Sequence, residues 1–447
     1  MVEPRVIPRA EHTLSRADVD PDALKVLYRL RQGEYVAYLV GGSVRDLLLG
    51  RRPKDFDIGT SAHPYQVKKL FRNCWIIGRR FRLAHVKFGA KVIEVATFRR
   101  QVQPGEEIVQ DGVPAPEHHQ PESLATTGTA AVDEASRAAR DEAQLIHRDN
   151  TFGTPEEDAF RRDFTINALF YDIATFSIID YVGGLDDLRA RLVRCIGDPD
   201  VRFREDPVRM LRAVALAARL DFTIERPIHE AIGRLRHEIA NASAARLLEE
   251  YYKILRAGSA EPTFRGLADA GLIEPISSEL HNGAGEALWR SLAHVDEYRR
   301  KFSSTPETLT NAVLLGSLLV PLDLAPLPGR PSPRREADVR PRPVLAKLGN
   351  LPLARRDLER LRQVLGLQRR LRDVTASVRA QRALTHRTIF REALTWLEIH
   401  GDAPEVVEHW ITVLAERGAD EPVGLIPEGG LPPRRRRRRR RRFRPAP

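Results

Sequence analysis

Cysteine is scarce in this chain: only Cys74 and Cys195 occur among 447 residues. Two cysteines so far apart match no zinc-ligand spacing and no disulfide framework, which predicts a protein of a reducing compartment, the cytoplasm. Long hydrophobic runs are also missing, since the longest, residues 313–322, is too short to span a bilayer and contains Pro321. The first 30 residues lack the apolar core of a secretory signal. The sequence therefore predicts a protein that does not require a membrane.

Acidic residues are outnumbered by basic ones, 61 to 72, and the formal net charge is +11. Ten arginines and no acid lie in residues 431–447, nine of them consecutive from 434 to 442, so the rest of the chain is nearly neutral. An arginine run cannot pack against itself and is predicted to be a disordered tail. Such a tail binds polyanions such as RNA with strong salt dependence. A solubility tail and binding to an acidic membrane surface are the alternatives.

The order of strand and helix patterns along the chain predicts an α+β protein. Up to about residue 200, short strands alternate with helices, including a hairpin over 83–98 and a helix over 156–171. From residue 207 onward the periodicity is almost entirely helical. These patterns divide the chain into four parts: a head (1–200) with a mobile insertion at 101–147, a helical neck (201–280), a helical body (281–430) with a Pro- and Arg-rich linker at 321–343, and the tail (431–447).

The most informative motif is Lys54-Asp55-Phe56-Asp57-Ile58. Two carboxylates separated by one residue point the same way on a strand, where they can bridge a hard divalent cation to a triphosphate. A Gly41-Gly42 turn precedes the motif, and such a turn allows backbone N–H groups at the start of a helix to approach phosphate. Either feature alone usually marks only a turn. Together they predict metal-dependent nucleotidyl transfer.

A third carboxylate is expected from one of two places. Asp163 and Asn167 are four residues apart, which would place both on one face of the predicted helix. There they could complete a metal site or bind a ribose hydroxyl. Glu94, on the hairpin strand, is the second candidate. The structural alternative is that Asp163 only pairs with Arg161 or Arg162.

A base-reading pair is predicted at residues 206–209. Asp206 accepts hydrogen bonds and Arg209 donates them, from one turn of helix, so the pair matches the edge of adenine or cytosine and not of guanine or uracil. Arg212 extends a basic ridge from Arg209. The structural alternative is that Asp206 caps the helix, with Pro207 in its first turn.

These motifs resemble the bacterial poly(A) polymerase I group within the class II tRNA nucleotidyltransferase superfamily. The resemblance covers roughly residues 5–280 and is found at residues 39–42, 44–46, 54–57, 94–99, 161–167 and 205–212. It implies a DNA polymerase beta-like head followed by an all-helical neck and body. It implies Mg²⁺ on Asp55 and Asp57, with Asp163 in the active centre. It also implies contacts to the nucleotide from Gly41, Gly42, Ser43, Arg45, Arg162, Asn167, Asp206, Arg209 and Arg212.

The activity implied by this resemblance is transfer of AMP from ATP to RNA 3′ ends, with RNA-decay proteins as further partners. Residues 76–86, with arginines around Phe81, and the arginine-rich C-terminus favour the poly(A) branch over CCA- or A-adding tRNA nucleotidyltransferases. Ser43 replaces a third glycine found in many members, and residues 281–430 resemble the group only loosely. An alternative from another class is a non-catalytic RNA-binding adaptor.

Overall fold

The computed structural model describes residues 3–78, 82–100, 151–325 and 346–420. The predicted insertion at 101–147, residues 79–81, most of the predicted linker at 321–343 and the arginine tail lie outside these ranges. The chain divides into two compact units, residues 1–362 and 363–447. Cys74 and Cys195 are free and buried. Within the described ranges, no helix combines the length and apolar character needed to cross a membrane.

An eight-stranded sheet forms the centre of the head. In space the strands follow the order β1-β8-β7-β2-β3-β6-β5-β4. β3 and β6 pair parallel, and the other neighbours pair antiparallel. The strands are β1 (Arg5–Ile7), β2 (Ala37–Val40), β3 (Ile58–Thr60), β4 (Cys74–Ile77), β5 (Leu83–Phe88), β6 (Lys91–Thr97), β7 (Leu169–Asp172) and β8 (Ser177–Asp180).

Helices cover one face of this sheet. α1 (Pro21–Gln32) begins where the Asp20 carboxylate accepts the N–H groups of Asp22 and Ala23, and it ends before Gly33 as predicted. α1 contacts β2, β3 and β6, while α3 (Pro64–Leu70) contacts β4, β5 and β6. α2 (Gly42–Leu48) is the short helix that follows the Gly41-Gly42 turn.

The opposite face of the sheet is only partly covered. An aromatic and aliphatic cluster, built around Val40, Phe98 and Phe170, packs over β2, β7 and β8. On the β4–β5–β6 side this face, called the open face below, is not covered by the helices of the described ranges, and Trp75 is 53% exposed. The predicted 83–98 hairpin is present as β5 and β6.

The predicted helix over 156–171 is wrong. α4 (Pro155–Phe160) is short, a 3₁₀ turn spans Thr165–Asn167, and β7 follows. The Asp163 carboxylate accepts the N–H of Phe164, and Phe164 pairs with Cys195, so these bonds replace the helical pattern. Pairing of the wholly buried β7 with β2 and β8 then overrides the helical periodicity.

The neck and the remaining described chain are almost entirely helical, which confirms the α+β class. Two predicted helices have the expected bounds, Val208–Leu220 and Arg355–Leu371. A small parallel pair, β9 (Leu192–Val193) and β10 (Thr223–Ile224), contacts the first of these two helices. The helices are α5 (Gly184–Arg189), α6 (Pro199–Glu205), α7 (Val208–Leu220), α8 (Arg226–Leu235), α9 (Ala244–Leu255), α10 (Ala260–Asp269), α11 (Ser278–Asn282), α12 (Glu286–Arg300), α13 (Asn311–Leu319), α14 (Arg355–Leu371), α15 (Val378–Thr385), α16 (Phe390–His400) and α17 (Pro404–Asp420).

Candidate active site

A cleft of about 1190 Å³ is formed by the head and by helices of the neck, within the unit 1–362. Ten arginines and one lysine line it, against five carboxylates. Such an excess of guanidinium groups around a concave surface suits a polyanionic ligand such as a triphosphate. The predicted site residues that line the cleft are Gly41, Gly42, Arg45, Asp57, Arg162, Asp163, Asn167, Asp206, Arg209 and Arg212.

Asp55 and Asp57 lie in the extended segment just before β3, not within the strand as predicted. The backbone still runs beside β2 there, because the carbonyl of Asp57 accepts the N–H of Val40 at 3.0 Å. The Asp55 side chain is 68% exposed, and its Oδ2 is 3.6 Å from Nζ of Lys54. Burial, together with the charges of Glu94 and Asp55, raises the pKa of Asp57 to about 6.

Glu94 lies beside Asp57 because β6 runs parallel to β3, with Val95 paired to Ile58. Its carboxylate is 3.5 Å from Nε2 of His85. Burial, and after it the charges of Glu94 and Asp55, disfavour the ionised form of Asp57. A divalent cation bound beside these carboxylates would favour that form, and oxygen ligands of this kind suit Mg²⁺. Among the described residues, no three acidic, histidine or cysteine side chains form a complete metal site by themselves.

Asp163 is buried in the wall of the cleft and is paired with the neck. Its Oδ1 accepts hydrogen bonds from the N–H of Phe164 at 2.9 Å and from Nδ2 of Asn167 at 3.2 Å. Its Oδ2 is 2.7 Å from Nη2 of Arg212, an ion pair without the alignment of a hydrogen bond. Burial alone would raise the pKa of Asp163, but Arg212 and these hydrogen bonds outweigh it, so the pKa is lowered.

The predicted proximity of Asp163 and Asn167 therefore exists, although a turn creates it and not a helix face. The alternative pairing of Asp163 with Arg161 or Arg162 is wrong. Both arginines bind Asp158 instead, at 2.7 and 2.9 Å. Sequence reasoning did not single out Asp158, although its i, i+3 and i, i+4 spacing to the two arginines is the usual signal of such pairs.

The turn at Gly41 leaves no room for a side chain, because the guanidinium of Arg162 packs against it. Gly41 has φ +71°, and a Cβ there would be 2.8 Å from Nη1 of Arg162. That same nitrogen donates to the backbone carbonyl of Asn167 at 3.0 Å. Arg45 is buried, donates to the Asn167 amide oxygen and pairs with Asp46 at 2.7 Å. Glycine at position 41 thus allows Arg162 to pack against the turn and to donate to the Asn167 carbonyl, where all three residues line the cleft.

Ser43 takes a structural position in the same turn. Its side chain is buried, and its hydroxyl donates to the carbonyl of Val40 at 2.9 Å. Neither Ser43 nor Asp55 is among the residues that line the cleft. The predicted contact of Ser43 with a nucleotide therefore remains a prediction.

Asp206 and Arg209 both line the cleft, and both are held by protein groups. Oδ1 of Asp206 accepts the N–H of Val208 at 3.3 Å, close to the predicted capping role, although Pro207 and not Asp206 is the N-cap of α7. Oδ2 of Asp206 accepts from Arg246 at 2.8 Å. Arg209 Nη1 donates to the Arg202 carbonyl at 2.9 Å and to the Glu205 carboxylate at 3.1 Å.

Three family models match successive parts of the chain. They are the Poly A polymerase head domain at residues 37–194, the probable RNA and SrmB-binding site of polymerase A at 221–283, and the polymerase A arginine-rich C-terminus at 344–444. The three matches follow one another in chain order and together include well over half of the residues.

Curated relatives are similar over the first part of the chain. Poly(A) polymerase I of Salmonella typhimurium is 49% identical over 271 residues, which are 61% of this chain and 53% of that protein. Poly(A) polymerase I of Haemophilus influenzae is 41% identical over 272 residues, 61% of this chain and 54% of that protein. The CCA-adding enzyme of Lactobacillus johnsonii is 33% identical over 304 residues, 68% of this chain and 65% of that protein. The chain spans about half the length of the poly(A) polymerases it matches.

A solved structure shows the same fold. The CCA-adding enzyme of Bacillus stearothermophilus, crystallised in complex with CTP, matches with a TM-score of 0.53 and 22% identity, over 90% of this chain and 83% of that one. This likeness concerns the fold alone, and it confirms a head with a mixed sheet followed by helices. The three successive family models and the polymerase relatives lead to one assignment: the chain belongs to the bacterial poly(A) polymerase family within the tRNA nucleotidyltransferase superfamily.

Proposed function

We propose that this protein is a template-independent polynucleotide adenylyltransferase that adds AMP from ATP to RNA 3′ ends. The observation that supports this most is the arginine-lined cleft, which has Asp57 on its head side and the Asp206–Arg209 pair on its neck side. A nucleoside triphosphate needs both kinds of group, a carboxylate site beside its phosphates and a hydrogen-bonding pair for its base.

We propose that Asp55 and Asp57 hold Mg²⁺, with Glu94 as the neighbouring carboxylate. Bound there, Mg²⁺ would activate the RNA 3′-hydroxyl and neutralise charge at the α-phosphate. With a pKa of about 6, Asp57 is mostly ionised at neutral pH and can act as a ligand. The arginines of the cleft bind and orient the phosphates, which is the main protein contribution to phosphoryl transfer. Residues 1–200 form the catalytic head in this proposal.

Asp163 keeps a place in the active centre as a positioning residue. Its carboxylate aligns Asn167 from the head and Arg212 from the neck at one point of the cleft wall. Arg162 lies against the Gly41 turn and is proposed to contact the sugar or phosphates. In the neck, 201–280, Asp206 would accept from the N6 amino group of adenine while Arg209 donates to N1.

A CCA- or A-adding tRNA nucleotidyltransferase is the second candidate, because the chain is also similar to a CCA-adding enzyme. The poly(A) reading is supported by the higher identity to poly(A) polymerases and by the match of residues 344–444 to their arginine-rich C-terminus. A non-catalytic RNA adaptor would have no need of the carboxylates beside an arginine-lined cleft.

The deciding experiment offers each of the four labelled nucleoside triphosphates to two acceptors, an unstructured RNA and a tRNA that lacks its CCA end. We expect long AMP tails on the unstructured RNA, little CMP incorporation, and no product from a variant with both Asp55→Ala and Asp57→Ala. Ordered addition of CMP and AMP to the tRNA alone would establish the second candidate. If no nucleotide is incorporated with any combination of triphosphate and acceptor, the protein is the non-catalytic RNA-binding adaptor.

RNA 3′ ends and ATP are the proposed substrates, and proteins of RNA decay the proposed partners. The match of residues 221–283 to a probable RNA and SrmB-binding site supports RNA and protein contacts in the neck. The arginine tail supports further, sequence-independent contacts with RNA. Because ATP and newly made RNA occur in the cytoplasm, we place the enzyme there.

A further inference from the structure

The open face of the sheet has two large apolar side chains at its edge. Trp75 and Ile77 lie on β4, the last strand of the sheet, and are 53% and 50% exposed. The other three tryptophans of the chain, Trp289, Trp396 and Trp410, are buried. An exposed tryptophan beside an exposed isoleucine on a sheet edge is unusual, because apolar edges promote unwanted pairing.

The strand register connects Trp75 to the proposed metal carboxylates. Trp75 is paired with His85 on β5, and His85 is paired with Glu94 on β6. Glu94 in turn lies next to Asp57, since Val95 pairs with Ile58. Paired residues project from the same face of a sheet, so these four side chains form one row across the open face. Three strand spacings separate Trp75 from Asp57, about 14 Å.

The proposed metal carboxylate Asp57 has the cleft on one side and the row of Glu94, His85 and Trp75 on the other. The cleft that would hold ATP lies on the side of Gly41, Arg162 and the neck. In-line displacement at the α-phosphate requires the attacking hydroxyl to approach from the side opposite the leaving pyrophosphate. Within the described ranges, the row that leads away from Asp57 through Glu94 and His85 to Trp75 is partly exposed, with the Glu94 side chain 49% exposed, and it lies where the RNA strand that bears this hydroxyl would have to approach.

We propose that the open face of β4–β5–β6 binds the 3′-terminal nucleotides of the RNA acceptor, and that Trp75 stacks on one of their bases. The proposal rests on the proposed function and adds an acceptor site to it. Aromatic stacking fits an enzyme without a template, because every base has a π-face and stacking reads no sequence. Lys87, exposed and two residues beyond His85 on the same face, supplies a positive charge for the RNA backbone.

RNA is favoured over a second copy of the chain as the occupant of this face. A dimer formed through the β4 edge would extend the sheet in its own plane and leave the side chains of Trp75 and Ile77 exposed on its face, so it would not account for their exposure. A polyanion with flat bases matches both the positive charge and the aromatic group.

The test compares Trp75→Ala with Trp75→Phe in the full chain, using a short unlabelled RNA at a salt concentration that suppresses binding by the arginine tail. Tyr65→Ala is the matched control, because Tyr65 is equally exposed, at 55%, but lies on α3 on the covered side of the sheet. We expect Trp75→Ala to raise the KM for RNA by about five- to a hundred-fold, with an unchanged KM for ATP. Trp75→Phe retains most of the affinity.

A second readout needs no catalysis. Because Trp75 is the exposed tryptophan, RNA added to the wild type without ATP or divalent metal is expected to change tryptophan fluorescence, and Trp75→Ala abolishes this change. An unchanged KM for RNA together with RNA-insensitive fluorescence, in a protein that adds AMP normally, overturns the acceptor site alone. A shift of oligomeric state in Trp75→Ala with unchanged RNA affinity assigns the face to a second copy and overturns the proposal. A wild type that adds no nucleotide to any RNA refutes the proposed function, while fluorescence still tests the site.

Discussion

Arg212 Nη2 lies 2.7 Å from Oδ2 of Asp163, and this ion pair joins the neck helix α7 to the head at the wall of the cleft. Asp163 is 7% exposed, whereas the Arg212 side chain is 44% exposed. The other Asp163 oxygen is already occupied by Asn167 and by the N–H of Phe164. The relative position of head and neck at the cleft therefore depends on a carboxylate that has little access to water.

Replacing Arg212 with leucine is expected to lower the free energy of unfolding by about 1–3 kcal/mol, because it leaves a buried carboxylate without its cation. The loss is smaller than for a fully buried pair, since much of Arg212 is already exposed to solvent. The pKa of Asp163 is lowered in the wild type, so the stabilisation is present above the unfolded-state pKa and disappears as the pH falls through the folded-state pKa. Denaturant unfolding from neutral to acidic pH measures both effects.

Arg226→Leu is the control for this variant, because Arg226 lies on the neighbouring helix α8 with a side chain 89% exposed in its pair with Glu230. That substitution is expected to change stability by less than about 0.5 kcal/mol. If the two leucine variants are equally stable, the Arg212–Asp163 pair does not fasten the neck to the head.

Asp57→Asn is expected to abolish AMP incorporation and yet to stabilise the metal-free protein. The folded-state pKa of Asp57 is raised to about 6, so its ionised form destabilises the fold once the pH exceeds that value. A pKa shift of this size corresponds to about 1–3 kcal/mol after allowance for partial solvent access. The gain is expected at about pH 8 in the presence of a chelator, and it shrinks as the pH falls below about 6.

Thermal unfolding of wild type and variant at several pH values measures this gain. Added Mg²⁺ should then raise the melting temperature of the wild type and have little effect on Asp57→Asn, because the ion binds the folded state through this carboxylate. Equal stability of the two proteins at about pH 8 would show that burial and the neighbouring carboxylates do not raise the pKa of Asp57.

Arg209→Ala is expected to raise the KM for ATP and to weaken discrimination against GTP and UTP by about tenfold or more. It removes the donor of the proposed base-reading pair, and a site that leaves hydrogen-bonding groups unpaired rejects the wrong base strongly. Steady-state kinetics with each nucleotide measure the change. Arg204→Ala is the control, since Arg204 is exposed on α6 and is not among the residues lining the cleft. Full ATP selectivity in Arg209→Ala would assign Arg209 only to its bonds with Arg202 and Glu205.

Truncation after Gly430 is expected to weaken RNA binding and to reduce its salt dependence, while addition of a single nucleotide at saturating RNA survives. The deleted segment contains ten arginines and no acid. For every arginine that no longer neutralises an RNA phosphate, the slope of log K against log salt becomes shallower by roughly one. A salt titration of affinity for several unrelated RNAs is the measurement, and all should weaken about equally. An unchanged slope would assign the tail to a protein or membrane surface.

Local patterns were sufficient to predict several elements and motifs of this protein. The helix at Val208–Leu220, the hairpin of β5 and β6 and the cap of α1 at Asp20 all follow from short-range periodicity, turn residues and side-chain capping. The conjunction of Gly41-Gly42 with Asp55 and Asp57 led to the proposed chemistry in the same way, since the required residue types lie within one short segment.

Local sequence patterns did not predict the contacts between segments that are far apart in the chain. The periodicity of 156–171 resembled a helix, but pairing of β7 with β2 and β8 in the sheet outweighed local helix propensity. Asp163 could have paired with Arg161 or Arg162 by spacing alone, whereas the fold gives those arginines to Asp158 and gives Asp163 to Arg212, 49 residues away in the chain. The row from Asp57 to Trp75 likewise exists only through the register of four strands, because residues far apart in sequence become neighbours only when hydrogen bonds between the strands align them.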